Sequence, residues 1–123
     1  MAVDASAILV VTGVLTAGAG IGAILPRQIF KLLFGAVDPD APMILVVRHW
    51  ALLVALVGCL LVYAGYHPVA RVPVMVVGIV EKFAIAALVL ASPFRKRPAV
   101  ALVAAADAVM AALYVLLLTR PGS

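Results

Sequence analysis

The chain has 123 residues, 67% of them hydrophobic and 11% charged, and its mean hydropathy is +1.31. A water-soluble globule of this length has too much surface for its volume to hide so much apolar side chain, so the composition asks for lipid as solvent. The formal net charge of +4 is modest, and the basic residues sit in short loops beside apolar runs instead of forming a groove-tracking stripe, which argues against a nucleic-acid partner.

The first apolar run covers residues 6–25 and is closed by Pro26. It starts with Asp4 where a secretory leader would carry positive charge, and the basic residues come after it. It is therefore read as a retained helix and not a cleaved signal. Gly13, Gly18, Gly20 and Gly22 give it a flat face, with Gly18 and Gly22 in small-xxx-small register. That face meets either another helix of the same chain or a second copy in a homodimer, and intramolecular packing is the preferred expectation. The next stretch, Pro26 to Gly35, places Arg27 and Lys31 four apart among Ile29, Phe30, Leu33 and Phe34. The spacing predicts one short helix lying in the membrane interface, its basic side toward lipid head groups.

The second run, residues 42–65, opens after the turn Asp38-Pro39-Asp40 and carries Arg48, His49 and Trp50 near its start. The lone cysteine, Cys59, excludes an intrachain disulfide and reads as a small buried apolar residue. The third run, 72–91, holds Glu81 and Lys82 at its middle and ends at Ser92-Pro93 and Arg95-Lys96-Arg97. The fourth, 98–118, starts with Pro98, which suits a first helical turn. It contains Asp107 and Tyr114, and Ala101, Ala104, Ala105, Ala108 and Ala112 offer a second close-packing face.

Each run is near the ~20 residues a helix needs to cross the hydrocarbon core. With short connections, the expected fold is all-α: an integral membrane four-helix bundle, up-down-up-down, in a single domain over 1–123. Arg27, Lys31, Arg95, Lys96 and Arg97 lie on one side, against Arg71 and Arg120 on the other. This bias places the first and third connections in the cytoplasm and both termini outside, in a bacterial inner membrane.

A charge near the bilayer centre costs roughly 2.5–3.5 kcal/mol on insertion scales, so it persists where it faces protein, water or a ligand. Counting from the helix ends puts Lys82 and Asp107 at one depth, with Glu81 adjacent and Arg48 and His49 about one turn away. The expected pairs are Lys82 with Asp107 and Arg48 with Glu81. Helical phase aligns Arg71 with Lys82, Asp107 with Tyr114, and Arg48 with Tyr66. One consequence is an outward-opening cavity walled by Tyr66, Arg71 and Tyr114 and floored by the ions, although each tyrosine taken singly is better read as interface-belt chemistry. His49 is either a protonation switch in the ion network or a hydrogen-bonded structural histidine. His67 is too far in depth to share a haem with it within one chain, which leaves one ligand per protomer of a dimer open. No phosphate loop, Ser/His/Asp set or metal-ligand spacing is present, and no cofactor is assigned.

The run LFGAVDPDAPMILVVRHWALLVALVGCLLVYAG, residues 33–65, resembles small bacterial four-span membrane proteins of the DoxX-like and neighbouring uncharacterised families. The resemblance implies a four-helix membrane bundle and, for some members, a link to redox or quinone-dependent complexes. It supplies no catalytic residues. Small multidrug resistance transporters are similar in length and span count. Their key acid lies in the first span, where this chain has no charge between Ala5 and Leu25.

Three functions remain in play. The leading one is non-catalytic binding or transport of a lipophilic or ionisable small molecule, with or without proton coupling, at Arg48, His49, Glu81, Lys82 and Asp107. The alternative is an accessory subunit of a larger respiratory or photosynthetic membrane complex, suggested by the glycine-rich first run and short loops. The third is a quinone- or lipid-linked membrane enzyme with Glu81 and Asp107 as acid and base.

Overall fold

The structure is a computed structural model that describes residues 4–35 and 38–120. Four of its helical stretches are long and apolar enough to cross a membrane: Ala5–Ile24, Ala41–Tyr66, Pro68–Leu90 and Pro98–Thr119. The protein is thus a multi-pass membrane protein built as an all-α four-helix bundle.

The first crossing is composite. Helix α1 (Ala5–Ala17) starts at Asp4, whose carboxylate accepts the Ser6 N–H at 3.0 Å. It tightens into a 3-10 turn at Gly18–Gly20 and continues as α2 (Ile21–Ile24). Glycine is a weak helix former, and a run with glycine at every second position is where a regular α-helix gives way. Leu25 breaks the path, and Pro26 opens the short α3 (Pro26–Phe34), as its missing N–H allows. The predicted short helix is therefore present. It stops at Gly35, whose φ of 87° lies where side-chain-bearing residues rarely go. Helix α4 (Ala41–Tyr66) begins at Asp40, which accepts the Met43 N–H at 3.0 Å. A turn at Pro68–Ala70 leads into α5 (Arg71–Leu90), and a second turn at Pro93–Lys96 leads into α6 (Pro98–Thr119).

In the bundle α1 runs along α4, α4 lies beside α5, and α5 runs along α6. The α1/α4 seam is made of small residues. On α4 they recur every seven positions, at Ala51, Gly58 and Gly65, so they stay on one face. A Cβ on Gly58 would strike the backbone of Gly13 and Ala17, and one on Gly13 would lie 2.8 Å from the Gly58 carbonyl oxygen. Gly22 faces Ala51 and Gly20 faces Ala55 in the same way. Lipid tails are as apolar as leucine, so close backbone approach of this kind is a main source of helix association in a bilayer. The expected Gly18–Gly22 pair is corrected here. Gly18 points outward with nothing within 4 Å of where its Cβ would be, because the chain has turned through a 3-10 step at that point. Cys59 is also corrected: it is exposed on the outer side of α4, adjacent to the inward-facing Gly58.

The α5/α6 seam repeats the seven-residue logic. Met75, Gly78, Lys82 and Ala86 are buried on α5, and Val100, Ala104, Ala111, Tyr114 and Leu117 on α6. Of the alanine face expected on α6, Ala104 is buried while Ala105 and Ala112 face outward. Lys82 thus occupies a core position, and Asp107, three residues beyond Ala104, falls on the matching side of α6. The apolar core, comprising Leu9, Leu61, Ala64, Met75, Tyr114 and Leu117, fills the end of the bundle away from α3.

Both ends of the bundle are tied by arginine. Arg71 donates from Nε to the Ala64 carbonyl at 3.0 Å and from Nη2 to the Gly65 carbonyl at 2.9 Å, covering acceptors that the last turn of α4 leaves free. At the other end Arg97 Nε donates to the Leu33 carbonyl at 2.9 Å, and its guanidinium packs against Gly35. The Phe34 ring bridges Phe30 and Phe94, with centroids 4.9 and 4.8 Å away. These contacts fix α3 across that end of the bundle.

Candidate functional site: an intramembrane ion cluster beside a lateral cavity

Lys82 is 1% exposed and donates to two acceptors, Asp107 Oδ1 at 2.9 Å and Thr16 Oγ1 at 2.8 Å. An ammonium so deeply buried is tolerable only when paired and hydrogen-bonded. Its third neighbour is Glu81 Oε1, 3.9 Å away, which is an ion pair but too long for a hydrogen bond. That Glu81 oxygen is buried and has no hydrogen-bond partner among the described residues. The carboxylate side chains are partly covered, at 21% and 17% exposure for Glu81 and Asp107.

A hydroxyl ladder continues from the cluster along α1. Thr16 Oγ1 donates to the Thr12 carbonyl at 2.7 Å, and Thr12 Oγ1 to the Ile8 carbonyl at 2.6 Å. Tyr114 OH donates to Thr12 Oγ1 at 2.6 Å. The ladder follows from spacing: Thr12 and Thr16 are one helical turn apart on α1, and Asp107 and Tyr114 are two turns apart on α6. Through Lys82 and Tyr114 it ties α1 to α5 and α6 over successive turns.

Between this layer and α3 lies a cavity of about 360 Å³. Its polar wall is Thr16, Glu81 and Asp107, and Trp50 and Met110 belong to the same lining. Leu15, Ile21 and Leu32, also in its wall, are exposed on the outer surface of the bundle, so the mouth opens sideways where lipid chains would lie. A second cavity of about 220 Å³, entirely apolar in character, shares Ile29, Leu33, Trp50, Ile85 and Val103 with the first and reaches back under α3 to Phe30 and Phe34. The two define an apolar space with acid groups at one end and the short helix as its roof.

The residues expected from sequence separate into two sets. Glu81, Lys82 and Asp107 are brought together, with the Lys82–Asp107 pair formed as expected. Arg48 and His49 are not in this cluster. Both are exposed on the outer face of α4, and among the described residues no Arg48–Glu81 ion pair exists. Lying within about one turn in depth did not bring them together, because α4 turns its Ala51–Gly58–Gly65 face to α1, which rotates Arg48 and His49 outward. The outward-opening cavity is corrected too. Tyr66 is exposed, Arg71 caps α4, and Tyr114 is fully buried in the ladder, so none of them walls a cavity, which lies instead at the α3 end. His67 stacks on Tyr63, centroids 3.9 Å apart, far along α4 from His49. No group of three or more His, Cys, Asp or Glu among the described residues is placed to hold a metal ion.

Thr12, Thr16 and Met110 belong to the site and were not anticipated. The signal was present as two threonines at helical spacing in a run otherwise free of polar side chains between Ser6 and Leu25. Trp50, next to His49 in the chain, faces the cavity.

Fold and site together define a four-helix membrane protein with a buried Lys–Asp–Glu cluster beside a laterally open cavity. No family model, curated protein or solved structure matches the chain.

Proposed function

We propose that the protein binds a lipophilic small molecule within the membrane, and moves it across or delivers it, using the Glu81–Lys82–Asp107 layer as the polar end of the site. The observation that carries this reading is the cavity of about 360 Å³ whose apolar walls meet Glu81, Asp107 and Thr16 and whose mouth opens sideways. Ligand sites are mostly apolar with a few convergent polar groups, and intramembrane ionisable residues mark substrate or proton paths. The lateral mouth suits a molecule that arrives dissolved in lipid. Arg48 and His49 lie outside this site. The excess of Arg and Lys in the α3 and Arg95–Arg97 connections supports a cytoplasmic position for that end, with both termini outside, in a bacterial inner membrane. The test is the double substitution Glu81→Gln, Asp107→Asn in purified protein. Loss of ligand binding and of any coupled proton movement is expected, and unchanged binding sinks the idea.

A second reading is an accessory subunit of a larger membrane complex. Arg48 and His49, exposed side by side on the outer face of α4, favour it, because charged groups on a lipid-facing helix surface commonly mark a protein neighbour. Native mass spectrometry of the protein released from its own membranes in mild detergent separates the two. A monomer or dimer with a reproducible extra small mass supports binding, whereas co-release with large subunits supports the complex.

A further inference from the structure

The geometry points to a protonated alkylamine, a cationic head with at least one N–H on an apolar tail, as the ligand class of this cavity. The inference rests on the binding reading above and deepens it. The first argument is charge. The cluster contains two carboxylates and one ammonium, and among the described residues no other charged side chain forms an ion pair with it. Lys82 hydrogen-bonds Asp107 and Thr16 and holds Glu81 only at 3.9 Å, so a single ammonium is shared by two carboxylates and one negative charge is in excess. The second is placement. Glu81 and Asp107 line the cavity and Lys82 does not, so the cation sits behind the carboxylates and an occupant meets the acids first.

The third argument is hydrogen bonding. Glu81 lines the cavity, and its carboxylate accepts no hydrogen bond among the described residues, although covered carboxylates ordinarily do. The Thr16 hydroxyl in the same wall does not serve, because its proton is directed to the Thr12 carbonyl at 2.7 Å, with the Met110 sulfur at 3.7 Å as its other acceptor. A ligand that carries its own N–H supplies the donor that the protein side chains here do not. The fourth is the rest of the wall. Trp50, the aromatic type that best accommodates an ammonium, lines both cavities, and the second is almost wholly apolar, suited to a hydrocarbon tail. A carboxylate head would meet two like charges. A quaternary ammonium would supply charge but leave the Glu81 carboxylate without a donor.

Trp50 is the only tryptophan in the chain and lines both cavities, so its fluorescence reports on this shared space. The full chain in zwitterionic phosphatidylcholine nanodiscs is titrated at neutral pH with decylamine, decyltrimethylammonium, decanol and decanoate. Decylamine is expected to give a saturable change in Trp50 emission. Decyltrimethylammonium, which has no N–H, decanol, which has a donor but no charge, and decanoate, which is repelled, are expected to bind roughly tenfold or more weakly, as is decylamine with Glu81→Gln, since each lacks the cationic charge, the N–H or the ionised acceptor. Thermal stabilisation of the unsubstituted protein by decylamine over decyltrimethylammonium gives the same comparison without a variant. Decanol or decanoate binding as tightly as decylamine overturns the amine class while leaving an intramembrane binding site. Equal decylamine binding by Glu81→Gln overturns the assigned contact. No saturable change with any of the four overturns both the ligand class and the binding reading.

Discussion

Lys82 Nζ lies 2.9 Å from Asp107 Oδ1 because each residue occupies a core position of its own helix. Antiparallel α5 and α6 are joined by the short Pro93–Lys96 turn, so residues equally far from that turn sit at one depth. Removing one partner leaves the other buried and charged. Asp107→Ala should destabilise the protein by about 3–5 kcal/mol. Adding Lys82→Met should restore much of the loss, which unfolding of the single and double variants in detergent would measure. Purely additive losses would mean the pair is not coupled.

The α1/α4 seam separates two glycines of unlike consequence. Gly58→Ala pushes a Cβ into the backbone of Gly13 and Ala17 and should cost about 1–3 kcal/mol through overpacking. Gly18→Ala meets nothing and should be neutral or stabilising by up to about 1 kcal/mol from helix propensity. Denaturant titration followed by circular dichroism distinguishes them, and equal effects would contradict the seam.

Tyr114 donates its proton to Thr12 at 2.6 Å in a fully buried setting. Tyr114→Phe should cost about 1 kcal/mol, as should Thr12→Val, and the double variant less than their sum. A full sum in thermal unfolding would show that the two residues act separately.

Arg97 is the clamp on α3. Arg97→Gln should leave the four long helices intact while raising amide exchange over residues 26–34, since the Leu33 carbonyl and the Gly35 cap lose their partner. Exchange that rises equally in α4 or α5 would mean that Arg97 holds the bundle as a whole.

Orientation has a direct test. In a Cys59→Ala background, His67→Cys should react with a membrane-impermeant maleimide added to intact cells, and Lys96→Cys should react only after permeabilisation. Both positions are exposed in the structure, so the reverse pattern would invert the topology.

The four crossings, their order and the short helix after the first were legible in residues alone. Span length in a bilayer is set by hydrocarbon thickness, and Pro26, Asp40, Ser92 and Pro98 mark the ends by chemistry that is local in sequence. The depth of Lys82 and Asp107 was equally legible, because rise per residue is constant. What the sequence did not reveal was the rotation of each helix about its axis. Seven-spaced small residues on α4 turn Arg48 and His49 outward, and a 3-10 step turns Gly18 away, although both sets lie at the expected depth. The hydroxyl ladder of Thr12, Thr16 and Tyr114 and the cavity beneath α3 depend on that rotation. Depth is a one-dimensional property of the chain, whereas which side chains meet at a given depth is decided by packing among all the helices at once.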